Sequence, residues 1–212
     1  MSRRRLVVLD VDSTFIAEEQ IDLLAAHAGV GPQVAAITER AMAGELDFAA
    51  ALRERVAALA GLATSAIEAV RARISLSPGA GELIAGLHQR GWPVGLVSGG
   101  FHEIVDPLAT AHGITRVQAN RLETDDDGAR LSGRLRGEIV DRATKADFLR
   151  AFAAAEGIDL ADTVAIGDGA NDLDMVTAAG LGVGYRPKQA LAEAADVVLT
   201  DRLDELLAVL DR

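Results

Sequence analysis

Residues 6–14 read Leu-Val-Val-Leu-Asp-Val-Asp-Ser-Thr, an apolar run leading straight into Asp10 and Asp12. A wholly apolar run bounded by polar residues suits a strand buried on both faces, as in a parallel sheet. Side chains alternate along a strand, so Asp10 and Asp12 share one side if the chain stays extended. Two carboxylates that close repel, and each raises the pKa of the other unless a cation relieves them. The plain alternative is a strand ending in a loop, with Asp12 as the N-cap of the next segment. The rest of the chain decides between the two.

Downstream of this strand the sequence is Ala-rich and helical to about residue 75. One helix spans about Glu18 to Ala28 and stops at Gly29; a second carries Pro32 in its first turn and ends near Gly44. Asp47 caps a third over 48–60, and the Ser65/Glu68 spacing of a capping box opens a fourth that ends near Ile74. Four short-linked helices form a small bundle inserted after the first strand. From Ser77 helices and strands alternate: a helix near 79–90, a strand Pro93–Val97, and a turn Ser98-Gly99-Gly100. A helix follows that Pro107 breaks or kinks, then a polar stretch over 120–140 with a hairpin tip at Asp126-Asp127-Gly128. A helix over 144–156, strands at 163–166, 181–185 and 197–199 and a closing helix over 203–210 complete the chain. The alternation predicts an α/β fold with an open parallel sheet and helices on both faces.

Composition narrows the partners. The 212 residues are 50% hydrophobic, enough for one sizeable core with an inserted subdomain. A net charge of -11 lacks the basic footprint of a nucleic-acid binder, and 3% aromatic content lacks its stacking platform. With no cysteine there is no disulfide, thiol nucleophile or zinc-thiolate site. Met1-Ser2-Arg3-Arg4-Arg5 has the charge of an export signal's start, but the apolar run before Asp10 is too short for that signal's core. No run reaches the length of a membrane span, so a cytoplasmic protein is expected. Only Lys145 and Lys188 among the 21 basic residues are lysines, and a retained Lys can mark a need for a compact point charge.

Ligands of open parallel sheets bind beyond the carboxyl ends of the strands. Three such ends carry polar clusters: Asp10 to Thr14, Ser98-Gly99-Gly100, and Gly167-Asp168-Gly169-Ala170-Asn171-Asp172. Lys145, in the first turn of a helix, can reach the same crevice. Hard carboxylate oxygens without His or Cys suit Mg²⁺. Ser98 with the free backbone N–H groups of Gly99 and Gly100 can cradle phosphate oxygens. An anion cradle, a divalent cation and an in-line nucleophile are the parts of phosphoryl transfer.

The pieces DVDST, VSGG, Lys145 and GDGAND, in that order, resemble the motifs of the haloacid dehalogenase superfamily. Within it the chain is similar to the phosphoserine phosphatases over essentially its whole length. The supporting residues in the insertion are Glu19, Met42, Phe48 and Arg55. The resemblance implies a Rossmann-like core over 1–16 and 76–212 with a four-helix-bundle cap over 17–75 that sets substrate specificity. It implies Asp10 as nucleophile, forming an aspartyl-phosphate, and Asp12 as general acid and then general base. Mg²⁺ would be held by Asp10, Asp168 and the Asp12 backbone carbonyl, with Asp172 acting through water and Asn171 setting that loop. Ser98, Gly99 and Lys145 would grip the phosphoryl oxygens. Glu19 has the charge for the ammonium of O-phosphoserine and Arg55 the fork for its carboxylate, with Met42 and Phe48 beside them. The activity implied is the final step of serine biosynthesis. Longer members carry an N-terminal regulatory domain; this chain opens on the catalytic strand, so regulation by such a module is not expected.

Other signals are weaker. Glu123 to Gly128 imitates half a calcium loop, but Arg134 stands where its bidentate Glu belongs. Gly167-x-Gly169 lacks the third glycine of a dinucleotide fingerprint. His27, His88, His102 and His112 have no metal spacing, and Asp174 and Lys188 read as surface charges. Two alternatives remain: a phosphatase or phosphotransferase of the same superfamily with another small phosphomonoester, and a receiver-like phospho-aspartate module. The second lacks both an Asp two residues beyond its acceptor and a large insertion, so Asp12 and residues 18–75 argue against it.

Overall fold

A computed structural model describes residues 4–211. Met1–Arg3, the start of the stretch compared with an export signal, and Arg212 lie outside the described residues. Strand β1 is Leu6–Leu9, and the insertion supplies α1 (Gln20–Ala28), α2 (Gly31–Met42), α3 (Phe48–Ala57) and α4 (Ser65–Arg71). Then come α5 (Ala80–Gln89), β2 (Val94–Phe101), α6 (His102–Ala111), β3 (Arg116–Thr124) and β4 (Leu131–Arg136). The chain closes with α7 (Arg142–Glu156), β5 (Thr163–Gly167), α8 (Leu173–Ala178), β6 (Leu181–Tyr185), α9 (Gln189–Ala194), β7 (Val197–Leu199) and α10 (Leu206–Leu210).

The seven strands form one sheet in the order β4-β3-β2-β1-β5-β6-β7. All neighbours are parallel except β3 and β4, an antiparallel hairpin at one edge. The expected parallel sheet thus gains an antiparallel edge strand, because a short hairpin can only reverse the chain. The four apolar residues of β1 behave as a doubly buried strand must. Val7 and Leu9 join the core under α5 and α10, while Leu6 and Val8 join the core under α7, α8 and α9. Helices on both faces and β1 at the centre make a doubly wound, Rossmann-like sheet.

The four inserted helices pack on one another through Ile21, Leu24, Val34, Leu52, Val56 and Val70. Their core is not self-contained: Phe101, Ile104, Leu122 and Leu131 belong to it. At the entrance to the insertion the chain pairs with its exit. Ile16 bridges Leu76, Ala17 N–H donates to Ser75 O at 3.0 Å, and Ser77 N–H to Phe15 O at 3.0 Å. Glu18 secures this stem by accepting from the Ser75 hydroxyl at 2.6 Å. A second attachment is the acidic hairpin tip: Ala63 bridges Arg130, and Leu131 exchanges 2.8 Å backbone bonds with Gly61 and Leu62. At Gly133, with φ +80°, an added Cβ would run into Ala60 and the backbone of Ala57.

Local expectations fared unevenly. Asp47 caps α3 by accepting from Ala50 N–H at 2.7 Å, and Gly29 closes α1 in the left-handed conformation (φ 74°). The capping box at Ser65 and Glu68 does not form; the cap position is Thr64, whose hydroxyl donates to Gly128 and Ala129 carbonyls of the hairpin instead. Pro107 lies inside α6 without ending it. Ser98-Gly99-Gly100 is not a turn: β2 continues through Phe101, with its register to β3 shifting between Val97 and Phe101.

Candidate active site

β1, β2 and β5 lie side by side, and the polar clusters at their carboxyl ends meet there. Asp10 N–H donates to Ile166 O at 2.9 Å, which carries the sheet one residue past β1 and locks Asp10 in place. Its Oδ1 accepts from Val11 N–H at 2.7 Å and lies 2.7 Å from Lys145 Nζ. Both contacts fall on Oδ1, and neither involves Oδ2. Lys145 is fully buried and also donates to Asp172 Oδ1 at 2.7 Å. Asp141 caps α7 by accepting from Thr144 N–H at 2.9 Å, which fixes the turn from which Lys145 projects. Asp172 in turn accepts the N–H groups of Asp168 and Gly169 on Oδ2, each at 3.1 Å, and so shapes the loop after β5.

Burial, then the Asp172 charge, holds Asp10 well above the usual carboxylate range, against the pull of Lys145. Burial and Asp172 raise Asp168 likewise. Burial alone would lower Lys145, but Asp10 and Asp172 more than offset it and hold its pKa above the ordinary lysine value. Asp12 comes next, in a turn where Ser13 takes φ 56°. It is pushed up to about 8 by burial first and the Glu19 carboxylate second, while the Gln20 amide draws it down. The crowding foreseen from Asp10 is therefore supplied by the insertion.

These groups face a cavity of about 710 Å³ between sheet and insertion. Asp10, Asp12, Gly99, Gly100, Asp168 and Asn171 line its floor; Glu19, Met42, Phe48 and Arg55 line the opposite wall. Ser98 and Lys145 are fully buried behind the floor. Phe48 packs over Gly99, where an added Cβ would lie 3.1 Å from its ring. Met42 lines that wall while standing 84% exposed. Ser98 Oγ accepts from Gly100 N–H at 2.8 Å, so that N–H is engaged and not free as the sequence suggested.

The haloacid dehalogenase-like hydrolase family matches residues 7–177 of this chain. The chain belongs to that family. It is 56% identical over 192 residues to the phosphoserine phosphatase of Streptomyces coelicolor, covering 91% of this chain and 46% of that protein. It is 51% identical to the phosphoserine phosphatase of Streptococcus thermophilus, covering 97% of this chain and 95% of that one. The chain thus spans about half of the first relative and nearly all of the second. A solved phosphoserine phosphatase described as a phospho-aspartyl intermediate analogue superposes with a TM-score of 0.90, at 39% identity, over 98% of this chain and 99% of that structure.

In this haloacid dehalogenase-like hydrolase the carboxylate oxygens of Asp10, Asp168 and Asp172 lie within 4.8 Å of one another and could together hold a cation. Three crowded carboxylates, two with raised pKa values, fit a hard divalent cation. Sequence reasoning missed four residues here. Ser13 donates to Glu19 Oε1 at 2.7 Å and orients it. Asp22, raised by burial and by Glu19, is the largest charge acting on Arg55, where it opposes the lowering by burial. Lys188, read as a surface charge, places Nζ 3.5 Å from Asp168 Oδ2 at the cavity edge. Gln20 is fully buried and donates to Asp12 Oδ1 at 2.5 Å. His102 is satisfied structurally between Asp106 and Ala119 N–H. No helix among the described residues is long and apolar enough to cross a membrane.

Proposed function

We propose that this chain is a phosphoserine phosphatase, hydrolysing O-phospho-L-serine to L-serine and phosphate. The observation that carries the reading is the buried Asp10–Lys145–Asp172 network opening on a cavity whose far wall holds Glu19 and Arg55. In the first step Asp10 Oδ2 attacks phosphorus, the bond to the serine oxygen breaks, and Asp12 gives that oxygen its proton. In the second, water attacks the aspartyl-phosphate, Asp12 takes the proton, and the Asp10 carboxylate is released with phosphate. One residue thus serves as acid and then as base. Its raised pKa keeps the proton on Asp12 near neutrality for the first step.

Mg²⁺ held by Asp10, Asp168 and the Asp12 backbone carbonyl would neutralise charge between nucleophile and phosphate. Asp172 then supports that site through the loop it shapes. Lys145, Ser98 and Gly99 hold the phosphoryl oxygens, and Asn171 borders them. Residues 17–75 act as a cap, bounded by the stem at Ile16 and Leu76, in which Glu19 takes the substrate ammonium and Arg55 its carboxylate. Phe48 and Met42 close the apolar side. The enzyme works in the cytoplasm at the final step of serine biosynthesis.

The test is kcat/KM for Mg²⁺-supported phosphate release from L-phosphoserine, phosphothreonine, phosphoethanolamine and p-nitrophenyl phosphate. A preference for L-phosphoserine of about two orders of magnitude or more is expected of a site with paired charged contacts. A flat profile would leave the chemistry and remove the substrate. Asp10→Asn should abolish turnover while remaining folded.

A further inference from the structure

We propose that Gln20 is the positioning residue for proton transfer: its amide fixes Asp12 Oδ1 as an acceptor and leaves Oδ2 to carry the proton. The inference rests on Asp12 acting as the acid of the reaction proposed above. Gln20 is the first residue of α1, yet its side chain is completely buried. Its Oε1 accepts from Phe101 N–H at 3.0 Å and its Nε2 donates to Asp12 Oδ1 at 2.5 Å. A backbone N–H can only donate, so the oxygen of the amide must face Phe101 and its nitrogen must face Asp12. The orientation is therefore set by chemistry and cannot be flipped without opposing two donors.

The amide has little room to leave. At Gly100 a Cβ would occupy the position of the Gln20 amide group itself. Glycine there admits Gln20 between β2 and the turn after β1, tying three segments to one carboxylate. Without this bond the Asp12 carboxylate would keep only its contact with the backbone N–H of Gln20, and a proton donor must be held within hydrogen-bond reach of the leaving oxygen. In the step itself the Oδ2–H bond breaks and the proton passes to the ester oxygen as its bond to phosphorus breaks. Oδ2 then takes a proton from the attacking water in the second half-reaction. Gln20 exchanges no proton in either.

A leaving-group series separates this role from a structural one. Protonation matters for an alkoxide leaving group and little for p-nitrophenolate, so Gln20→Met should act on one ester and spare the other. General-acid catalysis contributes roughly 10²–10⁴-fold, so partial misplacement should cost about 30-fold or more in kcat on L-phosphoserine, with KM unchanged. The loss in kcat/KM on p-nitrophenyl phosphate should stay below about threefold, with phenyl phosphate between them. A fall in kcat/KM that is equal across the three esters, or a change confined to KM, overturns the proposal. Should Gln20→Met fold poorly, Gly100→Ala supplies the second route, because its Cβ displaces the same amide. It should reproduce the leaving-group dependence, and adding it to Gln20→Met should cost nothing further; independent, additive losses would overturn the proposal. Wild-type enzyme inactive on every ester would instead sink the phosphatase reading on which this one stands.

Discussion

Replacing Lys145 by Met tests the centre of the site most directly. Its ammonium lies 2.7 Å from Asp10 Oδ1 and 2.7 Å from Asp172 Oδ1, and all three side chains are at most 3% exposed. Met keeps the volume and removes the charge. Breaking a buried ion pair by removing one partner costs about 3–5 kcal/mol, because the other charge is left without compensation. For a chain of this size that corresponds to a fall in Tm of roughly 6–20 °C. The loss should depend on pH in a definite direction. Burial and the Asp172 charge already hold Asp10 above the ordinary carboxylate range, and without Lys145 it loses the charge that draws it down and rises further. Below that value Asp10 is neutral and needs no counter-ion; above it the buried carboxylate is charged and unpaired. The penalty is therefore small near pH 5 and largest near pH 8.

Urea midpoints of wild type and Lys145→Met in EDTA, at both pH values, provide the measurement. Added Mg²⁺ should recover part of the loss by compensating the same carboxylates. Turnover should fall by about 10²–10³-fold or more even where the variant is folded, as when one stabilising donor to a transition-state oxyanion is lost. A penalty below about 1 kcal/mol at pH 8, or one equal at both pH values, would mean that Lys145 does not balance these acids.

Arg55→Ala should lower kcat/KM on L-phosphoserine by about 1–3 kcal/mol, roughly five- to 150-fold, and leave p-nitrophenyl phosphate nearly unchanged; equal losses would remove Arg55 from specificity. Asp12 has a folded pKa of about 8 against an ordinary 3.8, so the stability it contributes is complete below the lower value and lost as pH rises through the upper one. In the metal-free enzyme Tm should therefore decline more steeply between those values in wild type than in Asp12→Asn, and parallel curves would refute the shift. Gly133→Ala, at φ +80°, should cost about 1–3 kcal/mol through overpacking against Ala60, on top of the backbone strain it shares with Gly137. Gly137→Ala, at φ +83° but with open space around it, should cost only the backbone strain of about 1–2 kcal/mol; equal urea midpoints for the two would mean the hairpin does not press on the insertion.

The floor of the cavity was legible because its polar residues stand at strand ends. Once Leu6–Leu9 is a central strand, Asp10 must emerge at the sheet's carboxyl edge, and the same holds for Asp168 after β5. What escaped the sequence depends on distances between segments far apart in the chain. The acidic hairpin tip is exposed as its polarity predicts, yet the backbone beside it pairs with the link between α3 and α4, and its carbonyls take the Thr64 hydroxyl where a capping box was expected at Ser65. Polarity along 125–130 shows that a tip is hydrated; it carries no record of which backbone will dock on it. Lys188 was set aside for the same reason, since nothing local to Pro187-Lys188-Gln189 shows that it returns to Asp168.

Gln20 shows how a boundary of two residues can conceal a role. A helix beginning near Glu18 places Glu19 and Gln20 about 100° apart on one continuous surface, where adjacent residues do not face each other. The structure instead leaves Glu19 extended at φ −94°, ψ 118°, and starts α1 at Gln20. That break lets two consecutive side chains serve one turn: Glu19 meets the Ser13 hydroxyl and Gln20 meets the Asp12 carboxylate. Glu19 raises the proton affinity of Asp12, and Gln20 lowers it while fixing its direction. Burial sets the strength of the proposed acid first, and the start of the insertion then tunes that strength and fixes its aim. A change at the start of α1 should alter chemistry on the sheet as well as recognition above it.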